Sequence, residues 1–477
     1  MSRQNKRNKR IIRGDNENNL LTGTEEKEKI FGLGGDDTII GGRGDDYKFG
    51  GRGNDRFIWN NGDGSDVVNG GVGNDVVEVN GSNRDDQFVL KQKKRQAIFE
   101  RTNFGKFTIK AKNVGEFEIN GGEGNDSLEI GNLSRTKINQ VTFNGGEGND
   151  ILNAQKTSVN ILALGENGDD TLAGGAGDDT IIGGRGSDVM IGNDGNDRLI
   201  WNNGDGSDQI DGGNGFDTVE VNDAATAGDQ FALNQNGNRA IFDRLNLVPF
   251  TLDTQNAEVF EINATGGDDS LVINDLSSTP VQLIQFSGGE GNDTVDGSNT
   301  AVNIFADGGA GDDLLTGSSG NDTLVGGAGV NTLRGGLGND RFVYGGSAIN
   351  NPPDELLDYE IGIDQFGLVG SELGISDIRL QNGISSEIAA DGNVIVLQNP
   401  FANAGAAADA IAANDAITSN AGAFIYHNFN LGISRLVRSE DLANRGAITV
   451  LANIRNQAGD EGIANLPTFS ANDFVVV

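Results

Sequence analysis

The sequence is governed by a nine-residue period. GGRGDDYKF, starting at Gly41, is followed directly by GGRGNDRFI, starting at Gly50. A chain that repeats on this scale builds its fold by stacking one small unit on the next. Aspartates at the sixth position run Asp37, Asp46, Asp55, then Asp170, Asp179, Asp188, Asp197, and later Asp313, Asp322 and Asp340. Two residues after nearly every one stands an apolar side chain: Ile39, Phe57, Leu172, Ile181, Met190, Leu199, Leu315, Leu324, Leu333, Phe342. This pattern predicts a glycine turn followed by a very short strand with one inward-pointing residue. Lys48 interrupts the series, and Phe49 is expected to substitute for it. At the N-terminal edge, Gly14 to Thr22 and Gly23 to Phe31 keep Leu21 and Ile30 but lose the sixth-position aspartate, as capping repeats would.

A longer period overlies the short one. WNNGDGSD occurs at Trp59 and again at Trp201, and the copies extend through DQF at Asp86 and Asp229, AIF at Ala97 and Ala240, FEIN at Phe117 and Phe260, and GGEGND at Gly145 and Gly288. A unit of roughly 143 residues has been duplicated. Within each copy a nonapeptide block precedes a strand-rich block with wider turns, at Asp126, Asp150 and Asp170 in one and Asp269, Asp293 and Asp313 in the other. Segments such as FTIKAK, FEIN and VNILAL alternate as strands do. The expected organisation is a basic flexible tail over 1–13, nonapeptide blocks over 14–80, 166–222 and 309–346, strand-rich segments over 81–165 and 223–308, and a C-terminal module over 347–477. Whether 81–113 and 223–256 join the stack or hang beside it is open at this level. The last module shows short strands at Asn393 to Gln398, Ala423 to Tyr426 and Ala447 to Ala452, and a helix near Ala406 to Ile417. The fold class is therefore all-β, a parallel β-solenoid with a small, mainly β C-terminal module.

Composition narrows the chemistry. Glycine supplies 74 of 477 residues and proline only 6, which fits frequent tight turns and excludes a collagen-like chain. The formal charge of −35 disfavours nucleic acid as a partner and requires the carboxylates to be dispersed or neutralised by cations. With no cysteine, any metal must be held by oxygen, which points to a hard cation such as calcium. Glycine turns can aim carbonyls inward while a carboxylate at a fixed place closes an oxygen cage. Two nonapeptides make one coil of 18 residues, so aspartates 18 apart become neighbours: Asp37 with Asp55, Asp170 with Asp188, Asp179 with Asp197, Asp322 with Asp340. Without a cation between them, carboxylates at ~5 Å repel by about 1 kcal/mol even at the dielectric of water.

The pattern GGxGxDxUx resembles the RTX, or haemolysin-type, calcium-binding repeats. The resemblance covers 14–80, 166–222 and 309–346 closely and implies a β-roll holding multiple calcium ions as its cofactors. By position, the side-chain ligands it implies are Asp37, Asp46, Asp55, Asp66, Asp75, Asp126, Asp150, Asp170, Asp179, Asp188, Asp197, Asp208, Asp217, Asp269, Asp293, Asp313, Asp322 and Asp340. Asn331 replaces one aspartate, so the site shared with Asp313 should be weaker, and the two extra residues around WNNGDGSD should disturb the 18-residue pairing. DELLDYEIGIDQFGL, starting at Asp354, is similar to the segment that closes such rolls. DFVVV, at Asp473 to Val477, is similar to the uncleaved tail that type I secretion substrates present to their exporter.

These implications give a secreted, extracellular or cell-surface protein that folds on extracellular calcium, with the type I secretion machinery as one partner. An adhesin-like module binding surface polysaccharide or another cell-surface protein is the alternative; a toxin or a carboxylate-based hydrolase ranks lower. The chain is not expected to be an enzyme: His427 is the sole histidine, which excludes HExxH chemistry, and no GxSxG elbow occurs. No stretch of about 18 apolar residues occurs, so no spanning helix or ordinary signal peptide is expected. Trp59 and Trp201 are expected to pack rather than bind sugar, and His427 to be structural.

Overall fold

A computed structural model describes residues 10–224, 227–346 and 351–477. The chain is all-β, with 6% helix, and its parallel sheets have the coiled strand order of a β-roll. It divides into two compact units, Met1–Val221 with Thr251–Glu258, and Asn222–Phe250 with Val259–Val477.

In the first unit the coils alternate between two parallel sheets. One sheet runs Arg10–Arg13, Glu28–Gly34, Tyr47–Arg52, Val67–Val72; the other runs Leu20–Thr22, Thr38–Ile40, Arg56–Trp59, Val76–Asn80. Each strand pairs with the strand one coil later, because a nonapeptide reverses the chain once and two return it to the same sheet. Leu21, Ile30, Ile39, Phe57, Leu172, Ile181, Met190 and Leu199 are all buried, as are Leu315, Leu324, Leu333 and Phe342 in the second unit. Each contributes about 1.5–3 kcal/mol of apolar burial; the three-residue strands bury one such side chain, and Arg56–Trp59, Arg198–Asn202 and Arg341–Tyr344 add Trp59, Trp201 and Tyr344.

The segment expected to be a flexible tail is ordered in its last four residues, where Arg10–Arg13 extend the sheet and Arg10 lies 3.8 Å from Glu28; residues 1–9 lie outside the described residues. Residues 81–113 join the stack. Gln87–Lys93, Gln96–Arg101 and Phe107–Lys112 form an antiparallel meander in one sheet, flanked by parallel pairs to Val67–Val72 and Ser127–Ile130. In the opposite sheet Val76–Asn80 passes directly to Glu116–Glu123. The second unit contains the equivalent hairpin, Gln230–Asn236 with Arg239–Arg244, beside Ser270–Ile273.

The second unit carries the roll past the last nonapeptide: Asp354–Leu356 pairs with Thr332–Arg334, and Gln365–Leu368 with Arg341–Tyr344. The C-terminal strand Phe474–Val476 pairs in parallel with Gln365–Leu368. Beyond them, Val394–Leu397, Gly422–Asn428, Ile433–Ser439 and Ile448–Ala458 form a mixed sheet against the helix Ala404–Ala412. Asn403 caps that helix by accepting from the Ala406 N–H at 2.9 Å. Its buried face, Ala404, Ala407, Ala408 and Ile411, follows the helical repeat and packs with Ile395, Leu397 and Phe424.

Candidate metal centres

Every aspartate that the repeat pattern picks out is buried at a turn between strands. One carboxylate oxygen of each is used to join the coils. The Asp37 N–H donates to Asp55 Oδ1 at 3.0 Å and the Asp55 N–H to Asp75 Oδ1 at 3.0 Å. Asp170 donates in the same way to Asp188 at 2.8 Å, Asp179 to Asp197 at 2.8 Å, and Asp322 to Asp340 at 2.9 Å. The wide coils keep the ladder: Asp126 to Asp150 at 2.6 Å, Asp150 to Asp170 at 2.7 Å, Asp269 to Asp293 and Asp293 to Asp313 both at 2.8 Å. The loops WNNGDGSD shift the 18-residue spacing, as expected, but the ladder runs on across them. Asp46 reaches Asp66 at 2.9 Å, Asp188 reaches Asp208 at 2.9 Å and Asp197 reaches Asp217 at 2.8 Å, each across 20 residues. The two additional residues are accommodated outside the turn, where Trp59 and Trp201 are buried and donate through Nε1 to the carbonyls of Gly64 and Gly206, each at 2.9 Å.

The second oxygen is the one that calls for a cation. Among the described residues, Oδ2 of Asp37, Asp46, Asp55, Asp75, Asp126, Asp150, Asp170, Asp188, Asp197, Asp208, Asp217, Asp269, Asp293 and Asp313 is buried and accepts no hydrogen bond. A row of buried carboxylate oxygens without donors is too costly to persist as anions unless cations neutralise them. In the first glycine of the turn the absence of a Cβ makes room for this oxygen: a Cβ on Gly50 would lie 1.9 Å from Asp55 Oδ2 and 2.7 Å from the Gly70 carbonyl oxygen. At Gly53, whose φ is +115°, a Cβ would lie 2.2 Å from the Gly35 carbonyl oxygen of the preceding coil. Carboxylate and carbonyl oxygens of successive coils thus converge on bare glycine Cα atoms, the all-oxygen donor set that calcium takes. Among the described residues no three His, Asp or Glu side chains cluster, so such cages depend on backbone carbonyls.

Burial pushes these carboxyls up. Asp55 rises to about 7 through burial, opposed by the Asp37 N–H bond and reinforced by the charges of Asp75 and Asp37. Asp126, Asp150, Asp188 and Asp208 also rise to about 7, and Asp170 to about 6, with burial the leading cause in each. Two sites differ: Asp179 Oδ2 accepts from the Gly175 N–H at 2.6 Å, and Asp322 Oδ2 from the Ser318 N–H at 2.6 Å.

Several ladder members were not picked out from the sequence. Glu28 occupies the sixth position of its repeat, is buried, and donates its N–H to Asp46 Oδ1 at 2.7 Å. Asn19 does the same toward Asp37 at 2.8 Å, so the edge repeats keep a polar sixth residue. Asp86 links to Asp126 at 2.6 Å and Asp229 to Asp269 at 2.7 Å across 40 residues. The shared DQF was visible, but the meander between the partners hid the pairing. Asp354 and Asp364 complete the ladder from Asn331 and Asp340, both at 3.0 Å. Asn331 holds its rung with an amide: its oxygen accepts from the Asp313 N–H at 3.0 Å, while Nδ2 points into the turn and donates to Asp354 Oδ1 at 3.1 Å. A donor therefore faces the position where its neighbours present an oxygen.

A family model described as the RTX calcium-binding nonapeptide repeat (4 copies) matches residues 22–57, 61–83, 141–155, 164–199, 203–220, 285–301 and 307–342. The chain carries RTX calcium-binding repeats. No curated protein matches it. The matched segments contain the ladder turns from Glu28 to Asp75, from Asp150 to Asp217 and from Asp293 to Asp340, while those at Asp86, Asp126, Asp229 and Asp269 lie outside them, and the multiple RTX copies imply multiple calcium ions. The chain is a calcium-binding β-roll protein. Among the described residues no helix is long and apolar enough to cross a membrane.

Proposed function

We propose that the chain is an extracellular structural protein whose roll folds when calcium fills the cages of the carboxylate ladder, with the aspartates named above as side-chain ligands. The observation that carries this reading is the row of buried Oδ2 atoms that accept no hydrogen bond. Binding would neutralise each row, and folding and metal binding would form one equilibrium. Circular dichroism during a calcium titration tests it. A cooperative gain of β signal at about 10⁻⁴ to 10⁻³ M calcium, reversed by EGTA and absent with magnesium, is expected. A full β spectrum in EGTA, unchanged by calcium, overturns it.

The same reading makes the chain a type I secretion substrate. In the folded protein the tail is inaccessible as a linear signal: Asp473 is buried, its Oδ1 accepts from the Gly362 N–H at 2.6 Å, and Phe474–Val476 is paired in a sheet. An exporter would read it before folding, where calcium is scarce. Removing residues 472–477 should retain the chain inside the producing cell, and normal export of the truncation would sink this part of the proposal.

The role is structural rather than catalytic. His427 is buried in the C-terminal sheet with Nδ1 3.3 Å from Ser434 Oγ, consistent with packing. An adhesin-like role is the second reading, favoured by the partly exposed Phe31 and Phe49, whose rings stack at 4.8 Å on the outer face of the roll. Saturable binding to surface polysaccharide that is lost in Phe49→Ala would favour it over a purely structural role.

A further inference from the structure

Lys48 stands where the repeat pattern calls for an apolar residue, and it occupies that inward position itself. Its side chain is buried, Nζ lies 2.9 Å from Asp66 Oδ2, and it donates to the Ile58 carbonyl at 3.1 Å. Phe49, expected to replace it in the core, instead faces outward. The ammonium also approaches Asp46: a Cβ on Gly41 would meet Asp46 Oδ2 at 2.6 Å, Lys48 Cε at 2.7 Å and Lys48 Nζ at 3.1 Å. The lysine head therefore lies at the same bare glycine toward which Asp46 Oδ2 is directed, and within contact of the next ladder carboxylate.

The duplicated copy supplies the control. GGRGDDYKF at Gly41 corresponds to GGRGSDVMI at Gly183, so Met190 takes the place of Lys48. Met190 is fully buried, the Asp188 N–H donates to Asp208 Oδ1 at 2.9 Å, and Oδ2 of both aspartates accepts no hydrogen bond among the described residues. The two copies share the ladder, the glycine turn and a first aspartate, Asp46 or Asp188, whose Oδ2 accepts no hydrogen bond, and differ in whether a side-chain cation reaches the second, Asp66 or Asp208. Arginines show that the device recurs in this fold. Arg101 is buried with Nη1 3.0 Å from Asp86 Oδ1, and Arg244 is buried with Nη1 3.2 Å from Asp223 Oδ2.

We propose that Lys48 is a tethered cation that takes the place of a calcium ion between Asp46 and Asp66, leaving that rung of the first nonapeptide block closed without metal, while its counterpart at Asp188 and Asp208 remains a calcium site. This rests on the calcium reading above. An ammonium supplies three N–H donors at a fixed place and needs no oxygen cage, so a divalent ion and the lysine head exclude each other through both space and charge.

The test is calcium stoichiometry of the full chain by native mass spectrometry and equilibrium dialysis. Lys48→Met should bind at least one more calcium than the natural chain, and Met190→Lys at least one fewer. Equal stoichiometry in Lys48→Met and the natural chain overturns the proposal while leaving the calcium reading intact. A natural chain that binds no calcium overturns both. Hydrogen exchange of the natural chain at the calcium concentration of half-folding gives a readout independent of either variant's folding. Tyr47–Arg52 and Val67–Val72 should exchange at least tenfold more slowly than Val189–Asp194 and Asp208–Asn214, and equal rates count against the proposal.

Discussion

Within the second unit, the roll and the C-terminal sheet handle buried charge in opposite ways. In the roll, Asp293 is buried with Oδ2 accepting no hydrogen bond, and burial raises its carboxyl above the ordinary range. In the C-terminal sheet, half-buried Asp391 accepts from the Thr418 N–H at 2.8 Å, the Ser419 N–H at 2.9 Å and the Ser419 hydroxyl at 2.9 Å. Burial works against Asp391, but those bonds and Arg379 hold its carboxyl below the ordinary range. One region satisfies its acids with its own donors, and the other leaves an oxygen toward the bare glycine turn. The cores differ to match. The C-terminal sheet and the helix Ala404–Ala412 share a cluster that includes Ile395, Leu397, Phe424, Tyr426 and Val437, whereas a nonapeptide strand such as Thr323–Val325 buries a single apolar side chain. A coil with one buried side chain per strand cannot offset chain entropy of about 1–2 kcal/mol per residue unless something else is bound. In the proposed function calcium is that additional term, and the C-terminal sheet, with its larger apolar cluster, is expected to do without it.

The largest way to break this contrast is to remove the metal. In EGTA at pH 7.5, hydrogen exchange on the full chain should show Leu314–Thr316 and Thr332–Arg334 losing protection while Val394–Leu397 and Gly422–Asn428 retain theirs; parallel loss in both would show a single cooperative fold instead. Acid should act next most strongly. In the metal-free roll the carboxyls of Asp313 and Asp340 keep their protons to about 7 through burial. In the unfolded chain an aspartate keeps its proton only to about 3.9. The folded state therefore binds more protons between these values, and metal-free stability falls as pH rises through that window. Lowering the pH from 7.5 to 5 in EGTA should restore part of the β signal, whereas with calcium present the same acidification should weaken metal binding. A metal-free spectrum flat across this range would contradict the assignment.

A smaller effect comes from glycine substitutions. A Cβ on Gly335 would fall 2.3 Å from Asp340 Oδ2, so Gly335→Ala should cost about 1–3 kcal/mol in thermal unfolding with calcium present. At Gly383 in the C-terminal sheet the nearest atom, Ile388 Cγ1, would be 3.6 Å away, so Gly383→Ala should stay within about 0.5 kcal/mol. Equal costs would mean that the carboxylate yields readily and that the cage is not rigid. The smallest change sharpens the comparison from within the roll. Asn331→Asp replaces an inward amide donor by an oxygen, and should add one calcium by dialysis with only a slight drop in the calcium concentration at half-folding.

How much was legible depended on whether a signal was local in sequence. The inward series from Ile39 to Phe342 and the 18-residue neighbours such as Asp179 and Asp197 follow from the period alone, because a stacked coil repeats its contacts at fixed spacing. The Asp86 to Asp126 and Asp229 to Asp269 rungs did not follow from it, since 40 residues and an inserted meander separate partners that the sheet brings together. At WNNGDGSD the sequence shows that the 18-residue spacing is disturbed but not that rungs 20 residues apart replace it, because only the folded loop shows that the added residues leave the turn.

By itself the sequence determined the repeating coil, its duplicated plan and the acids that line it, since periodicity and residue type impose these on any compact arrangement. Only the tertiary structure decided which oxygen of each aspartate joins the coils and which faces the turn, and that Lys48 points inward to Asp66. Those outcomes depend on distances of a few ångströms between residues far apart in the chain, and side-chain direction over such distances is fixed by packing.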